Sequence, residues 1–195
     1  MSYFVTGATG FIGRRLVDRL LERDGDIYVL VREGSLERLQ DQIADRGAQD
    51  RIHPVVGDLV EPNLGVDDAW IAEHQGDIDH FFHLAAIYDM SADAATNESF
   101  NVDGTRHAVA LANALQAGHL HHVSSIAVAG SYKGFFREDM FDEGQKLPSP
   151  YHRTKFESER IARDHTTVPL RVYRPAVVVG DSRTGEMDKI DGPYY

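Results

Sequence analysis

Short apolar runs alternate with amphipathic stretches along most of this 195-residue chain. The runs are rich in β-branched and aromatic residues, which is typical of buried strands. The stretches between them carry apolar residues at three- and four-residue steps, which predicts helices. The predicted strands are Tyr3–Thr6, Ile27–Val31, Ile52–Val56, His80–Leu84, His121–Ser124 and Leu170–Tyr173. The predicted helices are Phe11–Glu22, Leu36–Ala44, Ala69–His74, Asn101–Ala117 and Tyr151–Arg163.

This alternation of strands and helices predicts an α/β fold built on a doubly wound parallel sheet. Right-handed crossovers between parallel strands place the helices on both faces of such a sheet. The segment Tyr132–Pro150 contains glycines, prolines and charges but has weak periodicity, so we expect a long functional loop there.

Composition narrows the class of protein. The formal net charge of −11 argues against a nucleic-acid binder, and the absence of cysteine excludes disulfides, thiolate catalysis and sulfur-ligated metals. No apolar run approaches the length that spans a membrane, and Gly7, Thr9 and Gly10 interrupt the N-terminal run, so neither a signal peptide nor stable membrane insertion is expected. These features favour an acidic cytoplasmic protein.

The stretch TGATGFIG lies between the first predicted strand and the first predicted helix. In this context Gly7 permits a tight turn, Gly10 lets the backbone approach a pyrophosphate, and Gly13 lets the helix pack closely on the strand. The helix N-terminus offers free N–H groups to the phosphates. A plain strand–helix turn that uses glycines for positive φ is the alternative. The dinucleotide site predicted here comprises Gly7, Thr9, Gly10, Phe11, Ile12, Gly13 and Arg14.

Three arginines indicate which dinucleotide is bound. Arg14 and Arg15 stand in the first helical turn, where positive charge opposes the helix dipole at a cost of about 0.3–1 kcal/mol unless an anion is near. Arg32 ends the second strand, where NAD sites carry an acid and NADP sites carry an arginine for the 2′-phosphate. We therefore predict NADP(H), with Arg32 and Arg14 on the extra phosphate, although Arg32 as an ordinary surface charge is the alternative.

The third strand is followed by the sequence GDL. Asp58 could accept a hydrogen bond from the adenine amino group, with Leu59 packed on the ring. A simple Gly-Asp turn explains the same residues equally well.

A serine at the end of the fifth strand and the sequence YHRTK form the candidate catalytic set. Tyr151 and Lys155 lie four residues apart and share one helix face. An unperturbed phenol has a pKa of ~10, and a neighbouring ammonium stabilises the phenolate and lowers that value. The pair is a more specific signal of a catalytic site because it follows the glycine turn and the serine in the chain.

The chain contains seven short motifs in this order: TGATGFIG, GDL, HLAA, NVDGT, SSIAVAG, YHRTK and YRPAVVVG. In these motifs and their order it resembles the extended short-chain dehydrogenase/reductase family over nearly its whole length. The tail GDSRTGEMDKIDGPYY is similar to the male-sterility branch, which includes fatty acyl-CoA reductases and the reductase domains of carboxylic acid reductases. The resemblance implies that residues 1–195 form an NADP-binding Rossmann domain. It also implies that this domain is the N-terminal part of a longer enzyme, with most of the substrate region beyond it.

The resemblance also implies roles for the catalytic set. Tyr151 would protonate the carbonyl oxygen as hydride arrives, and Lys155 would hold the nicotinamide ribose. Ser125 would donate a hydrogen bond to the carbonyl oxygen. Asn101, in NVDGT, would be either structural or catalytic.

Four further cofactor contacts are implied by the same resemblance. Ala85 and Ala86 are small where the cofactor backbone passes. The turn at Arg174–Pro175 carries backbone contacts to the nicotinamide amide, and Val177 lies beside it.

These features predict an NADPH-dependent reductase of a fatty acyl thioester, such as an acyl-CoA, or of a long-chain aldehyde. A non-catalytic NADP(H)-sensing module and an NAD-dependent sugar-nucleotide epimerase or dehydratase are the alternatives. The C-terminal remainder of a longer enzyme is an expected partner, and association into a homo-oligomer is a further expectation. The segment after HLAA allows two interpretations that are equally compatible with the sequence: substrate contacts from Tyr88, Asp89 and Met90, or a plain loop.

The histidine clusters HFFH and HLHH invite a metal interpretation. Because both lie at strands, alternate histidines point to opposite faces of the sheet. We therefore expect no metal site there. The paired tyrosines Tyr194 and Tyr195 are expected to form part of a pocket wall.

Overall fold

The chain folds around one six-stranded parallel sheet in a computed structural model that describes residues 1–86, 98–185 and 187. The strands are β1 Tyr3–Thr6, β2 Ile27–Val31, β3 Ile52–Val56, β4 His80–His83, β5 His119–Val123 and β6 Leu170–Tyr173. Their order across the sheet is β3-β2-β1-β4-β5-β6, and every neighbouring pair is parallel. The predicted doubly wound parallel sheet is therefore confirmed.

Five α-helices connect these strands within the described residues, and their bounds are close to those predicted. They are α1 Phe11–Leu21, α2 Leu36–Asp45, α3 Asp68–Glu73, α4 Gly104–Ala114 and α5 Pro150–His165. The helix predicted at Asn101 begins at Gly104 instead, because residues 98–103 form a wider π-helical turn. It also ends earlier than predicted, because Gln116 adopts a left-handed backbone conformation with a φ of 50°, which cannot continue a right-handed helix.

Two apolar cores lie on opposite faces of the sheet. One core packs α1 and α2 against β1 and β2 through side chains that include Val5, Val17, Val29 and Ile43. The other packs α4 and α5 against β1, β4 and β5 through side chains that include Phe4, Phe81, Leu111, Leu120 and Ile161. Alternation along β1 explains the division, because successive side chains of a strand point to opposite faces.

The chain reverses its direction of travel across the sheet between β1 and β4. It moves outward from β1 to β2 and β3, then returns to place β4 on the other side of β1. In open α/β sheets, ligands bind at the carboxyl ends of the strands next to such a point of reversal. Within the described residues, no helix combines the length and the apolarity needed to cross a bilayer.

Candidate functional site

Two glycines at the junction of β1 and α1 have no room for a side chain. Gly7 has φ of 73°, and a Cβ there would lie 2.7 Å from the backbone nitrogen of Ala85. A Cβ on Gly13 would lie 2.0 Å from the carbonyl oxygen of Gly7. The first glycine therefore fits the left-handed turn beside the loop after β4, and the second lets α1 pack on that turn.

The start of α1 is shaped to receive an anion. Gly10 occupies the N-cap position with no side-chain hydrogen bond, and the first turn of α1 holds no acidic residue. The first helical hydrogen bond runs from the Arg14 N–H to the Gly10 carbonyl over 3.0 Å, so the N–H groups of Phe11 and Ile12 precede the helical ladder. Thr9, Gly10 and Ile12 are exposed at this point. These features fit a pyrophosphate on the helix N-terminus.

Arginines lie at the same end of the sheet. Arg14 is half-buried and Arg15 is exposed. Arg32 is the first residue after β2, is exposed, and caps the short turn Glu33–Ser35. No ion pair to the Arg32 guanidinium is found in the part of the chain that the structure describes. Its placement agrees with the predicted 2′-phosphate contact, which stays a prediction.

The residues after β3 form a turn with defined hydrogen bonds. The Asp58 carboxylate accepts from the Val60 N–H over 3.2 Å, and the Asp58 N–H donates to the Leu64 carbonyl over 2.8 Å. Leu59 packs against the core on the α4 side of the sheet, close to Gly104. The turn interpretation of GDL thus describes the structure, and the adenine contact of these residues stays a prediction.

Ser125 lies two residues past the end of β5 and caps the short helical turn Ile126–Ala129. Its Oγ accepts a hydrogen bond from the Ala127 N–H over 3.1 Å. The side chain is largely buried at 9% exposure. Because the oxygen already accepts from the backbone, the hydroxyl proton is available for donation to another acceptor.

Tyr151 and Lys155 lie in the first turns of α5, which packs against the turn Ile126–Ala129. The helix begins at Pro150 after Ser149, whose Oγ caps the His152 N–H over 3.4 Å. Tyr151 is half-buried and Lys155 is buried.

Burial lowers the pKa of the Lys155 ammonium to about 8. The group is therefore still mostly protonated at neutral pH. Among the described residues, none accepts a hydrogen bond from this ammonium. A charged donor thus lies about one helical turn from Tyr151, on a helix that packs against the turn Ile126–Ala129.

A buried chain of hydrogen bonds, which the sequence did not predict, joins the glycine turn to α4. The Thr6 hydroxyl accepts from the Ala85 N–H over 3.2 Å and bonds to Nδ1 of His83 over 2.9 Å. The other ring nitrogen of His83 lies 3.2 Å from the Thr105 hydroxyl. Burial, followed by the charge of Lys155, lowers the pKa of His83 to about 3, so the ring is neutral.

Asn101 extends this network to the catalytic helix. Its backbone carbonyl accepts hydrogen bonds from the hydroxyls of Thr105, over 2.7 Å, and Ser158, over 2.5 Å. Ser158 also donates to the Thr154 carbonyl over 2.7 Å. The backbone of Asn101 therefore ties α4 to α5, and the choice between a structural and a catalytic role for its side chain stays a prediction.

The remaining predicted cofactor contacts lie at the same edge of the sheet. Ala85 donates to Thr6, and Ala86 is exposed. The Pro175 carbonyl accepts from the Ile126 N–H over 3.0 Å, and Val177 is 66% exposed. The predictions made for Tyr88, Asp89, Met90, Tyr194 and Tyr195 lie outside the described residues, as does most of the tail GEMDKIDGPYY.

The histidine clusters divide between the two faces of the sheet. His83 and His122 stack on the α4 side with ring centroids 5.7 Å apart. On the opposite side, His80 and His121 lie 3.1 Å apart between ring nitrogens. No group of three or more metal-ligating side chains that could hold an ion occurs among the described residues.

Comparison with known proteins places this geometry in a family. A linear gramicidin synthase from Brevibacillus parabrevis is 33% identical over 96% of this chain, which covers 4% of that protein. A putative fatty acyl-CoA reductase of Drosophila melanogaster is 29% identical over 91% of this chain and 41% of its own length. The crystal structure of the terminal R domain from the myxalamid PKS-NRPS biosynthetic pathway superimposes with a TM-score of 0.83 at 30% identity, covering 94% of this chain and 50% of that one.

The chain thus spans about half the length of that solved structure and less of the curated relatives. More distant solved structures, below 25% identity, share the fold alone and include enzymes in complex with NAD or with NADPH. The family model of the NAD-binding male sterility protein matches residues 5–195. The chain belongs to this male sterility protein family, a branch of the extended short-chain dehydrogenases/reductases.

Proposed function

We propose that this chain is the cofactor-binding and catalytic domain of an NADPH-dependent reductase that acts on a fatty acyl thioester or a long-chain aldehyde. The observation that supports the proposal most is the packing of α5, whose first turns carry Tyr151 and Lys155, against the turn Ile126–Ala129 that Ser125 caps. This set lies at the carboxyl edge of the sheet, as does the glycine turn after β1.

Each member of the set has a distinct part in carbonyl reduction. The nicotinamide cofactor supplies hydride to the carbonyl carbon. Ser125 donates its hydroxyl proton as a hydrogen bond to the carbonyl oxygen, because its Oγ is oriented by the Ala127 N–H. Tyr151 gives the proton that the oxygen takes up, and the Lys155 ammonium stabilises the phenolate that remains.

The preference for NADP(H) rests on charge at the ribose end of the site. Arg32 directly follows β2, at the position where NAD sites carry an acid, and the nearest acidic residue in the sequence, Glu33, comes one position later. A guanidinium forms two-pronged hydrogen bonds with phosphate oxygens, whereas a ribose diol offers it no charge. Arg14, at the start of α1, is the second cation on the same edge.

The substrate class is supported by the relatives and not by a pocket in this chain. The matched proteins are described as a fatty acyl-CoA reductase, a linear gramicidin synthase and a terminal R domain. The first of these names describes a thioester of a fatty acid, which is the substrate class proposed here. A non-catalytic sensor of NADP(H) has no use for a proton donor, and a sugar-nucleotide epimerase of the NAD type is expected to carry an acid where Arg32 stands.

Residues 1–195 are further proposed to be one domain of a longer cytoplasmic enzyme, in which additional segments cover the substrate. The chain spans half of the matched R-domain structure, which supports this arrangement.

The assay that tests this function measures NADPH consumption by the enzyme with decanal, with decanoyl-CoA and with a UDP-sugar. Oxidation of NADPH with either acyl substrate supports the proposal. Conversion of the UDP-sugar without net NADPH consumption, or cofactor binding with no turnover of any substrate, overturns it in favour of an epimerase or a sensor.

A further inference from the structure

A buried carboxylate on α5, Glu159, has no part in the chemistry above. Its side chain is fully buried and accepts hydrogen bonds from three other side chains. These come from the Ser124 hydroxyl over 2.7 Å, from Arg163 Nε over 2.8 Å and from Arg174 Nε over 3.0 Å. The donors belong to the segment after β5, to α5 itself and to the segment after β6, so one carboxylate joins three parts of the fold.

The pairing of Glu159 with Arg174 is two-pronged. Arg174 Nη2 lies 2.5 Å from Oε1 of the carboxylate, while Nε lies 3.0 Å from Oε2. Burial alone would raise the pKa of Glu159, but the hydrogen bonds from Arg174, Ser124 and Arg163 outweigh it and lower that pKa below its ordinary value. The carboxylate is therefore charged at neutral pH, and its contacts are charge-assisted and strongly directional.

Two of the three partners of Glu159 adjoin a residue of the proposed site. Ser124 immediately precedes Ser125, and Arg174 immediately precedes Pro175. The two segments are joined by backbone hydrogen bonds, from Ser124 N–H to Tyr173 O over 2.8 Å and from Ile126 N–H to Pro175 O over 3.0 Å.

Glu159 itself lies one helical turn beyond Lys155, a rise of about 6 Å along α5. The carboxylate therefore connects the helix that carries Tyr151 with the segment after β5 that contains Ser125 and with the segment after β6 that contains Pro175.

The same arginines also contact the long loop that precedes α5. The guanidinium of Arg174 lies 5.4 Å from the ring centroid of Phe136, and that of Arg163 lies 4.9 Å from Phe141. Phe141 in turn stacks on Phe156 of α5 with centroids 4.5 Å apart. Cations at these distances attract aromatic faces, so the orientation of the guanidinium groups also fixes this loop.

We propose that Glu159 is a positioning residue, which holds Ser125 and the Pro175 turn in register with Tyr151 and Lys155. The clamp consists of Glu159 with its donors Ser124, Arg163 and Arg174. This inference rests on the proposed reductase function for its effect on turnover, but its effect on the backbone does not depend on that function.

The test compares Glu159→Gln with Glu157→Gln as the matched control. Glu157 lies on the same helix and is half-buried, and its one ion pair within the described part of the chain is with Arg160 over 3.9 Å. Amide hydrogen exchange is followed at Ser124 and Ile126, at the carboxyl end of the β5–β6 pairing. The Leu120 N–H, which bonds to the Pro169 carbonyl over 2.8 Å at the other end, serves as the internal reference.

Glu159→Gln is expected to speed exchange at Ser124 and Ile126 by on the order of tenfold while Leu120 is unchanged, since charge-assisted hydrogen bonds are lost at one end only. With decanal or decanoyl-CoA, kcat is expected to fall by up to about 100-fold, the effect of a displacement near 1 Å, with little change in NADPH affinity. Glu157→Gln is expected to change neither quantity.

Two results overturn the inference. One is exchange that rises equally at Leu120, Ser124 and Ile126, which indicates general destabilisation; the other is an unaltered kcat in Glu159→Gln. If that variant does not fold, Ser124→Ala removes a single donor and must still loosen Ile126 relative to Leu120. A wild-type enzyme that reduces neither substrate refutes the proposed function, whereas the exchange data still decide whether the clamp holds the strand ends.

Discussion

Two buried histidines lie on the α4 side of the sheet. We expect them to make the free energy of unfolding depend on pH between pH 5 and pH 7, which is above the pH at which ordinary carboxylates titrate. His83 and His122 are 3% and 2% exposed. Both ring nitrogens of His122 lie buried without a hydrogen-bond partner among the described residues. Burial, reinforced by the electrostatic effects of neighbouring His83, Lys155 and Arg163, holds the pKa of His122 well below its ordinary value. For His83 burial and then Lys155 lower the pKa to about 3.

The sign follows from proton binding in the two states. Folding lowers both pKa values, so the unfolded chain binds more protons between pH 6.5 and the folded pKa. The stabilising contribution is fully present above pH 6.5 and is lost as the pH falls toward the folded values. An unfolded histidine with a pKa of ~6.5 that must lose its proton at pH 5 costs about 2 kcal/mol, since each pKa unit corresponds to ~1.4 kcal/mol. For His83, with a folded pKa of about 3, this amounts to about 2 kcal/mol between pH 7 and pH 5, and His122 shifts the stability in the same direction.

The perturbation that tests this reasoning is His122→Leu, with His165→Leu as its control. His165 is exposed at the end of α5, so its replacement removes a histidine without removing a buried ring. Urea unfolding at pH 7 and pH 5 gives the free energy of unfolding of each protein. The fall in stability between pH 7 and pH 5 is expected to be smaller in His122→Leu than in the wild type, whatever the packing cost at pH 7. An equal fall in all three proteins would refute the reasoning.

Two further predictions concern the cofactor and the extent of the chain. Arg32→Ala should weaken NADPH binding about ten- to hundredfold and leave NADH binding unchanged, because one or two charge-assisted hydrogen bonds are lost. The control is Arg23→Ala, since Arg23 is exposed near the other end of α1. Calorimetry that shows an unchanged ratio of the NADPH and NADH affinities in Arg32→Ala contradicts the assignment. A form extended beyond Tyr195 should bind NADPH as this chain does but turn over faster, because added apolar walls stabilise an acyl chain by about 0.8 kcal/mol per buried CH₂; equal turnover in both forms would be contrary to expectation.

The fold was predictable because its signals are local. Glycines at a strand–helix turn, together with apolar runs of fixed period, identify the parallel sheet and the edge at which the site lies. The prediction failed at the start of β5, which begins at His119 and not at His121. The predicted strand omits His119 and Leu120 because they stand in a run of histidines, which are polar. The burial of these residues depends on the neighbouring strands and has no signal in the local sequence.

The buried polar network of the site was not predictable for a related reason. Glu159 meets Ser124 across 35 positions of sequence, and His83 meets Thr6 across 77. Such pairs have no periodic signature, because the folded topology alone brings them together. The order Ser125, Tyr151, Lys155 could be recognised from the sequence, whereas the side chains that hold those three residues in register could not.

The measurement that tests the central claim most directly is NADPH oxidation by the wild-type enzyme and by Tyr151→Phe with decanal and with decanoyl-CoA, alongside the NADPH affinity of each protein. The substitution removes the phenolic proton donor and leaves the ring, so the account predicts that oxidation falls by about 10²- to 10⁴-fold, the contribution typical of general acid catalysis, while NADPH affinity is nearly unchanged. A Tyr151→Phe enzyme that retains most of the wild-type rate would contradict the account, because the proton would then come from another group.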